Sequence, residues 1–311
     1  MSDPPSGPDR PGDADPQGGG TRAGFVALAG RPNVGKSTLV NGLVGQKVAI
    51  VSDKPQTTRR AIRGVATGPD HQLVLVDLPG VQRPRDALTQ RMQRRVESEF
   101  AGSDVALFVI NGQEGVGPGD RFIAAALREA GLPVVLAVNK VDRLDRPRTV
   151  QALTDAAQLG VGDEIFPVSA RTGLGVEALR EHLASLMPVG PFLFPPEDSS
   201  DQPLDVALAE LIREQVLRRT FQEVPHSVEV KVEDIDARGE VTLVRALVWV
   251  EAESQKGILI GAGGRMIKAV GTAARRELER ELGARVHLDL SVRVRRGWRG
   301  DEALLDRLGI E

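Results

Sequence analysis

The chain has 311 residues, 41% hydrophobic and 27% charged, with a net charge of -3, which leaves room for about two domains of roughly 100–200 residues each. Cysteine is absent, so disulfides, thiolate metal sites and cysteine nucleophiles are excluded, and the four histidines (His71, His182, His226, His287) are too scattered for a histidine cluster. The charge balance excludes a uniformly basic coat but leaves room for a local basic face.

Residues 1–22 are rich in Pro, Gly and Asp and read as a disordered tail. The start lacks a basic-then-apolar leader, and no apolar run approaches the ~18 residues of a membrane span, so the cytoplasm is the expected compartment. From Phe25 onward, apolar runs alternate with helical stretches. Phe25–Ala29, Leu73–Val76, Val105–Ile110, Val134–Val138 and the shorter Glu164–Val168 read as buried parallel strands. Segments such as Asp120–Ala130 and Val176–Leu186 read as amphipathic helices between them. That alternation predicts a doubly wound α/β sheet over residues 23–187, with ligands beyond the carboxyl ends of the strands. Residues 188–203 hold five of the 20 prolines and read as a linker. Residues 204–311 then run helix, strand, strand, Gly-rich helical stretch, strand, with a short last helix over 301–308: a small α+β domain.

Gly30-Arg31-Pro32-Asn33-Val34-Gly35-Lys36-Ser37 fits the G-x-x-x-x-G-K-[ST] phosphate loop in full, between a strand and a helix, with Thr38 next. Its glycines let backbone N–H groups wrap phosphates, and the helix N-terminus adds positive potential. Lys36 should reach the β- and γ-phosphates and Ser37 should ligate Mg²⁺. Asp77-Leu-Pro-Gly80 lies at a strand end, with Asp77 41 residues after Lys36. Asp77 can hold Mg²⁺ through water there, while the Gly80 amide can sense the γ-phosphate. Asn139-Lys140-Val141-Asp142 ends another strand. The Asp142 carboxylate can accept hydrogen bonds from guanine N1–H and the 2-amino group, which adenine lacks. Ser169-Ala170 follows the fifth run, where its backbone can support the guanine oxygen. Of Thr57 and Thr58, in the polar segment 46–60, Thr58 is expected to close the Mg²⁺ shell when a γ-phosphate is present. Lys36, Thr58 and Gly80 are therefore the candidate catalytic groups.

These motifs resemble the translation-factor-like GTPases and, more closely, the Era family of bacterial GTPases. The residues that carry the resemblance are Gly30–Thr38, Pro55-Gln-Thr-Thr-Arg59 and Asp77–Gly80. In the C-terminal half they are Glu223-Val-Pro-His-Ser-Val228, Gln255–Arg265 and Val286–Val294 through Gly297-Trp298. The similarity covers roughly residues 22–311. It implies a GTP/GDP switch with Mg²⁺ and a C-terminal type II KH domain. It also implies a role in small ribosomal subunit (30S) maturation, with the 3′ end of 16S rRNA as partner and peripheral association at the inner face of the membrane. No DNA partner is expected. Val81 stands where many GTPases carry a water-orienting glutamine, a departure shared with this family. Asn33 is implied as a K⁺ ligand beside the phosphates.

Gly261-Ala262-Gly263-Gly264 is a G-x-x-G between two helical stretches, as in a KH module, where glycines let a sugar-phosphate backbone approach. Ala262 and Gly263 occupy middle positions that often carry a basic residue, which shifts phosphate contacts to Lys256, Arg265 and Lys268. Residues 256–311 carry a net +4, leaving -7 on the remainder. Ile258, Leu259, Ile260 and the third strand are expected to line the base groove. Trp249 and Trp298 read as packing residues. The resulting expectation is a GTPase coupled to RNA binding. The alternatives are a GTP-gated binding module with negligible turnover, a GTPase docking to a protein, and an ATPase.

Overall fold

The computed structural model describes residues 20–54, 57–80, 86–221, 224–308 and 310. Tail residues 1–19, Pro55, Gln56, Val81 and Glu223 lie outside them.

The first half is built as β1 (Arg22–Ala29), α1 (Lys36–Val44), β2 (Ile62–Thr67), β3 (His71–Asp77), α2 (Ala87–Ala101), β4 (Val105–Asn111), α3 (Pro118–Ala130), β5 (Val134–Asn139), α4 (Arg146–Ala157), β6 (Glu164–Pro167) and α5 (Val176–Leu186). The sheet order is β2-β3-β1-β4-β5-β6. Every residue of β4 is buried, as expected of a strand covered by helices on both faces. Alternate side chains divide between two cores. Val26, Leu28 and Leu107 pack with α1 and α5, while Ala27, Ala29 and Phe108 pack with residues of α2, α3 and α4. The phosphate loop follows β1, where the sheet order reverses, and this is where doubly wound folds bind ligands.

The five strands read from the sequence pair parallel, as expected, and one strand not read there joins them. β2 pairs antiparallel with β3, from Ile62 opposite Asp77 to Thr67 opposite Gln72. It forms the sheet edge and returns the segment after α1 to the strand that ends at Asp77. β1 also begins at Arg22, inside the span read as tail, and the Thr21 hydroxyl donates to the Gly190 carbonyl at 2.8 Å.

The proline-rich segment is not a free tether. Val65 N–H donates to the Ser199 carbonyl at 2.8 Å, and Ala23 N–H to that of Pro188 at 3.1 Å. The buried Gln72 amide donates to the Phe194 carbonyl at 2.9 Å and accepts from the Leu193 and Phe194 N–H groups at 2.8 and 2.9 Å. Prolines limit what this segment can donate, and a buried glutamine supplies both donor and acceptor in their place.

The second half continues as α6 (Leu204–Arg219), α7 (Val224–Ser227), β7 (Glu229–Arg238), β8 (Val241–Val250), α8 (Glu253–Ile260), α9 (Arg265–Leu282), β9 (Arg285–Val294) and α10 (Glu302–Arg307). β7 and β8 are antiparallel, while β8 and β9 run parallel over ten residues. Leu208, Ile212 and Val216 of α6 and Val270 and Leu278 of α9 share a core with Val230, Val244 and Val248 of the sheet. A separate cluster joins Leu88 and Met92 of α2 to Trp249, Trp298, Leu304 and Leu305. Both tryptophans are buried there, as packing residues.

Candidate functional site

The phosphate loop needs backbone geometry that few residues accept. Gly35, which caps α1, sits at φ 103°, and a Cβ there would lie 2.3 Å from the Asn139 amide nitrogen. Glycine is required on both counts. Asn33 also has a positive φ, 63°. Lys36 is buried at the start of α1 and donates to the Gly30 and Arg31 carbonyls at 3.1 and 3.2 Å. Burial pulls its ammonium down to about 8, against the opposing pull of the Asp77 charge.

Ser37, Thr58 and Asp77 meet beside it. Ser37 Oγ donates to Asp77 Oδ2 at 2.6 Å and lies 3.1 Å from Thr58 Oγ1, which donates to the same Oδ2 at 3.2 Å. Asp77 Oδ1 is buried without a hydrogen-bond partner among the described residues. Burial pushes the Asp77 carboxyl up, against Lys36 and the two hydroxyls. Hydroxyl and carboxylate oxygens around an unsatisfied carboxylate atom are the donor set of a hard divalent cation, so these residues fit Mg²⁺. Thr57 also lines this cavity, but its hydroxyl is engaged outside the cluster, donating to the Lys54 carbonyl at 2.7 Å. Pro32, Thr38 and Gly80 line the same cavity.

Asn139 and Lys140 brace the loops of the site. Asn139 Nδ2 donates to the Val34 carbonyl at 2.9 Å, and its Oδ1 accepts from the Ala170 N–H at 3.0 Å. Lys140 Nζ donates to the Asn33 carbonyl at 2.7 Å. Asp142 accepts from Ser169 Oγ at 2.8 Å and from Arg171 at 2.6 Å. The Ser169 hydrogen bond, with Arg171 behind it, holds the Asp142 carboxyl below its ordinary value. Two loop side chains make contacts of their own. The Arg31 side chain turns away to Asp120 and Glu114, at 2.9 and 3.2 Å, and only its backbone serves the loop. Asn33 Nδ2 donates to the Asp53 carbonyl at 2.8 Å, so the Oδ1 atom is the one a cation would need.

The G-x-x-G lies between α8 and α9, with Gly263 and Gly264 at φ 60° and 75° and open space where each Cβ would stand. Ile258 and Ile260 are exposed beside it, as are Ala262, Arg265 and Lys268, while Lys256 is half-buried. Leu259 does not join the groove. It is buried in the α6–α9 core because it faces the opposite side of its helix. Gly261 serves packing, since a Cβ there would meet Met266 at 2.8 Å.

The two halves meet through groups that the motifs did not reveal. Arg59 pairs with Glu229 at 2.7 Å, and Arg60 with Glu210 at 2.7 Å and Glu229 at 3.2 Å. Lys47 pairs with Glu214 at 2.6 Å.

Comparison with known proteins places this geometry. The family described as 50S ribosome-binding GTPase matches residues 25–140, and the KH domain family matches residues 223–299. GTPase Era of Mycobacterium tuberculosis H37Rv is 45% identical over 294 residues, covering 92% of this chain and 98% of that protein. GTPase Era of Mycobacterium avium strain 104 is 45% identical over 295 residues, covering 93% and 98%. The chain belongs to the Era family of GTPases. A crystal structure of an Aquifex aeolicus Era variant bound to GDP and AlF₄⁻ matches with a TM-score of 0.90 at 33% identity, covering 93% of this chain and 99% of that one. Era in complex with MgGDPNP and nucleotides 1506–1542 of 16S ribosomal RNA matches with a TM-score of 0.90 at 34% identity and the same coverage. The chain is thus an Era-family GTPase with an α/β nucleotide domain and a C-terminal KH domain. Among the described residues, no helix is long and apolar enough to cross a membrane.

The contacts that sequence reasoning missed in this Era-family chain are Arg59, Arg60 and Arg171 and the α6 charges Glu210, Arg213 and Glu214. The adjacent arginines at 59–60 were the one available signal. The α6 charges have ordinary helical spacing.

Proposed function

We propose that this chain hydrolyses GTP with Mg²⁺ and uses the nucleotide state to govern binding of its KH domain to the 3′ end of 16S rRNA during small-subunit maturation. Residues 23–187 form the GTP-binding unit, 188–203 the connection and 204–311 the RNA-binding unit. One observation carries the reading. Ser37, Thr58 and Asp77 converge, and the segment bearing Thr58 is bonded to the KH domain.

In this reading Lys36 neutralises charge on the β- and γ-phosphates, and the loop N–H groups hold the phosphates in line for attack. Ser37 and Thr58 supply hydroxyl oxygens to Mg²⁺, with Asp77 behind them. When bound, the ion offsets charge on the transferring phosphoryl group. The Gly80 amide reports the γ-phosphate, and Asp142 accepts guanine N1–H and the 2-amino group, which sets the base preference. Asn33 is assigned to K⁺ beside the phosphates, and equal rates in K⁺ and Na⁺ buffers would remove that assignment. On the RNA side, Gly261–Gly264 admit the sugar-phosphate backbone, Ile258 and Ile260 flank the bases, and Lys256, Arg265 and Lys268 meet phosphates.

The decisive experiment measures binding of a 16S 3′-end RNA in GTP-analogue and GDP forms, together with phosphate release. Nucleotide-dependent RNA affinity, lost in a Gly263→Asp, Gly264→Asp variant, is expected. Equal affinity in both forms would overturn the coupling. The localisation that accompanies this reading is cytoplasmic, with peripheral attachment at the inner membrane face by family resemblance. Cell fractionation with a high-salt wash tests it.

A further inference from the structure

Thr58 is the only one of the three converging oxygen donors that lies in a long irregular segment. Ser37 is on α1 and Asp77 ends β3. An irregular segment needs outside contacts to hold one conformation, because ordering its backbone costs entropy. Here both chain neighbours of Thr58 are gripped by the KH domain. On one side, the Arg213 guanidinium of α6 donates to the Thr57 carbonyl. Arg213 is fully buried, and its Nε donates to Glu210 Oε1 at 3.0 Å, so one planar fork spans the segment and its own helix. On the other side, Arg59 donates to the Val228 and His226 carbonyls at 2.6 and 3.0 Å and to Glu229 at 2.7 Å. Upstream, Val51 N–H donates to Glu214 at 3.0 Å. Among the described residues of the nucleotide domain, by contrast, the Thr58 side chain is tied only to Ser37 and Asp77.

We propose that Arg213, in the KH domain, is a positioning residue of the GTPase: by fixing the Thr57 carbonyl it presents the Thr58 hydroxyl to the site. This rests on the role given above to Thr58. The nucleotide site is then complete only when α6 is docked. α6 packs on α9, the helix that opens at the G-x-x-G, so the RNA-facing helix and the helix that fixes Thr57 share one core.

The test uses the full chain with Arg213→Lys, Thr58→Ala and the two combined. Arg213→Lys keeps the positive charge among the glutamates but loses the fork. Glu210→Gln with Arg213→Gln is a second, charge-balanced variant should the lysine variant fold poorly. Three readouts are taken: amide hydrogen exchange at Thr58 and Arg59, affinity for a GTP analogue against GDP, and kcat. Arg213→Lys is expected to speed exchange about tenfold. It should weaken the GTP analogue by a similar factor with GDP affinity held within twofold, and add no further loss to Thr58→Ala. Unchanged exchange and GTP/GDP preference in both Arg213 variants, beside a clear Thr58→Ala defect, would overturn the proposal alone. So would Arg213 and Thr58 losses that simply multiply. A Thr58→Ala protein with normal GTP preference would overturn the Thr58 reading and the proposal with it.

Discussion

Arg59 and Glu229 form an ion pair of 2.7 Å between the nucleotide domain and the KH domain, and neither side chain is exposed. Two charges removed from water need each other and every further hydrogen bond available. Arg59 also donates to the Pro225, His226 and Val228 carbonyls. Such a pair need not add net stability, but losing one member leaves an uncompensated charge.

Glu229→Gln is therefore expected to destabilise docking of the two domains by about 3–5 kcal/mol. Urea unfolding monitored separately in each domain checks this. An intact single transition at the original midpoint would contradict it.

The same carboxylate sets a pH dependence. Burial alone would raise Glu229, but Arg60, Arg59 and Arg213 outweigh burial and hold it down, at about 2 against an ordinary 4.5. A depressed carboxyl contributes stability that is present above the unfolded value and is lost as pH falls through the folded one. Its share of the stability should hold down to about pH 4.5 and vanish toward pH 2. Thermal melts between those limits should show a shallower fall for Glu229→Gln than for the parent.

Lys36 predicts a second pH effect, on nucleotide affinity. Its ammonium titrates near 8 in the protein alone, chiefly because of burial. Phosphates favour the charged form, so binding takes up a proton above that pH. Affinity for GTP should be level below pH 8 and then fall, approaching tenfold per pH unit. Calorimetry in buffers of differing ionisation enthalpy would register the proton uptake.

Asp142→Asn should cut GTP affinity by about 10²–10⁴-fold. It removes two hydrogen bonds to a charged acceptor, each worth roughly 1.5–3 kcal/mol. Xanthine nucleotides should become the preferred ligands. Competition binding with GTP, XTP and ATP decides it, and retained guanine preference would dismiss the base assignment.

Trp298→Ala should cost about 3–5 kcal/mol, the range for emptying a buried aromatic site. Trp298 is fully buried against Leu88 and Met92 of α2, and its indole N–H donates to the Ser227 carbonyl at 2.9 Å. Calorimetric unfolding measures the loss. An unchanged melt would show that the cluster does not tie α2 to the KH domain.

The sequence determined the parts of this protein whose chemistry is local. A phosphate loop works through its own backbone, so eight consecutive residues declare it. Buried strands such as Val105–Ile110 declare themselves because both faces must be apolar. Ser37, Asp77 and Asp142 were legible because each belongs to a short motif at a strand or helix end. The edge strand β2 was not, because Ile62–Thr67 mixes Arg and Gly with apolar residues. Nor was the burial of Leu259, since helical period does not say which face meets α6. Least legible was the use made of charge. Glu210, Arg213 and Glu214 have the spacing of a solvated helix face, yet all three are buried. Their partners Thr57, Arg60 and Lys47 lie 150 or more residues away in the chain. A buried charge is tolerable only beside its counter-charge, and only the tertiary structure brings those together. The sequence thus determined two working modules, and the fold decided that the Thr58 segment of one is held by the other.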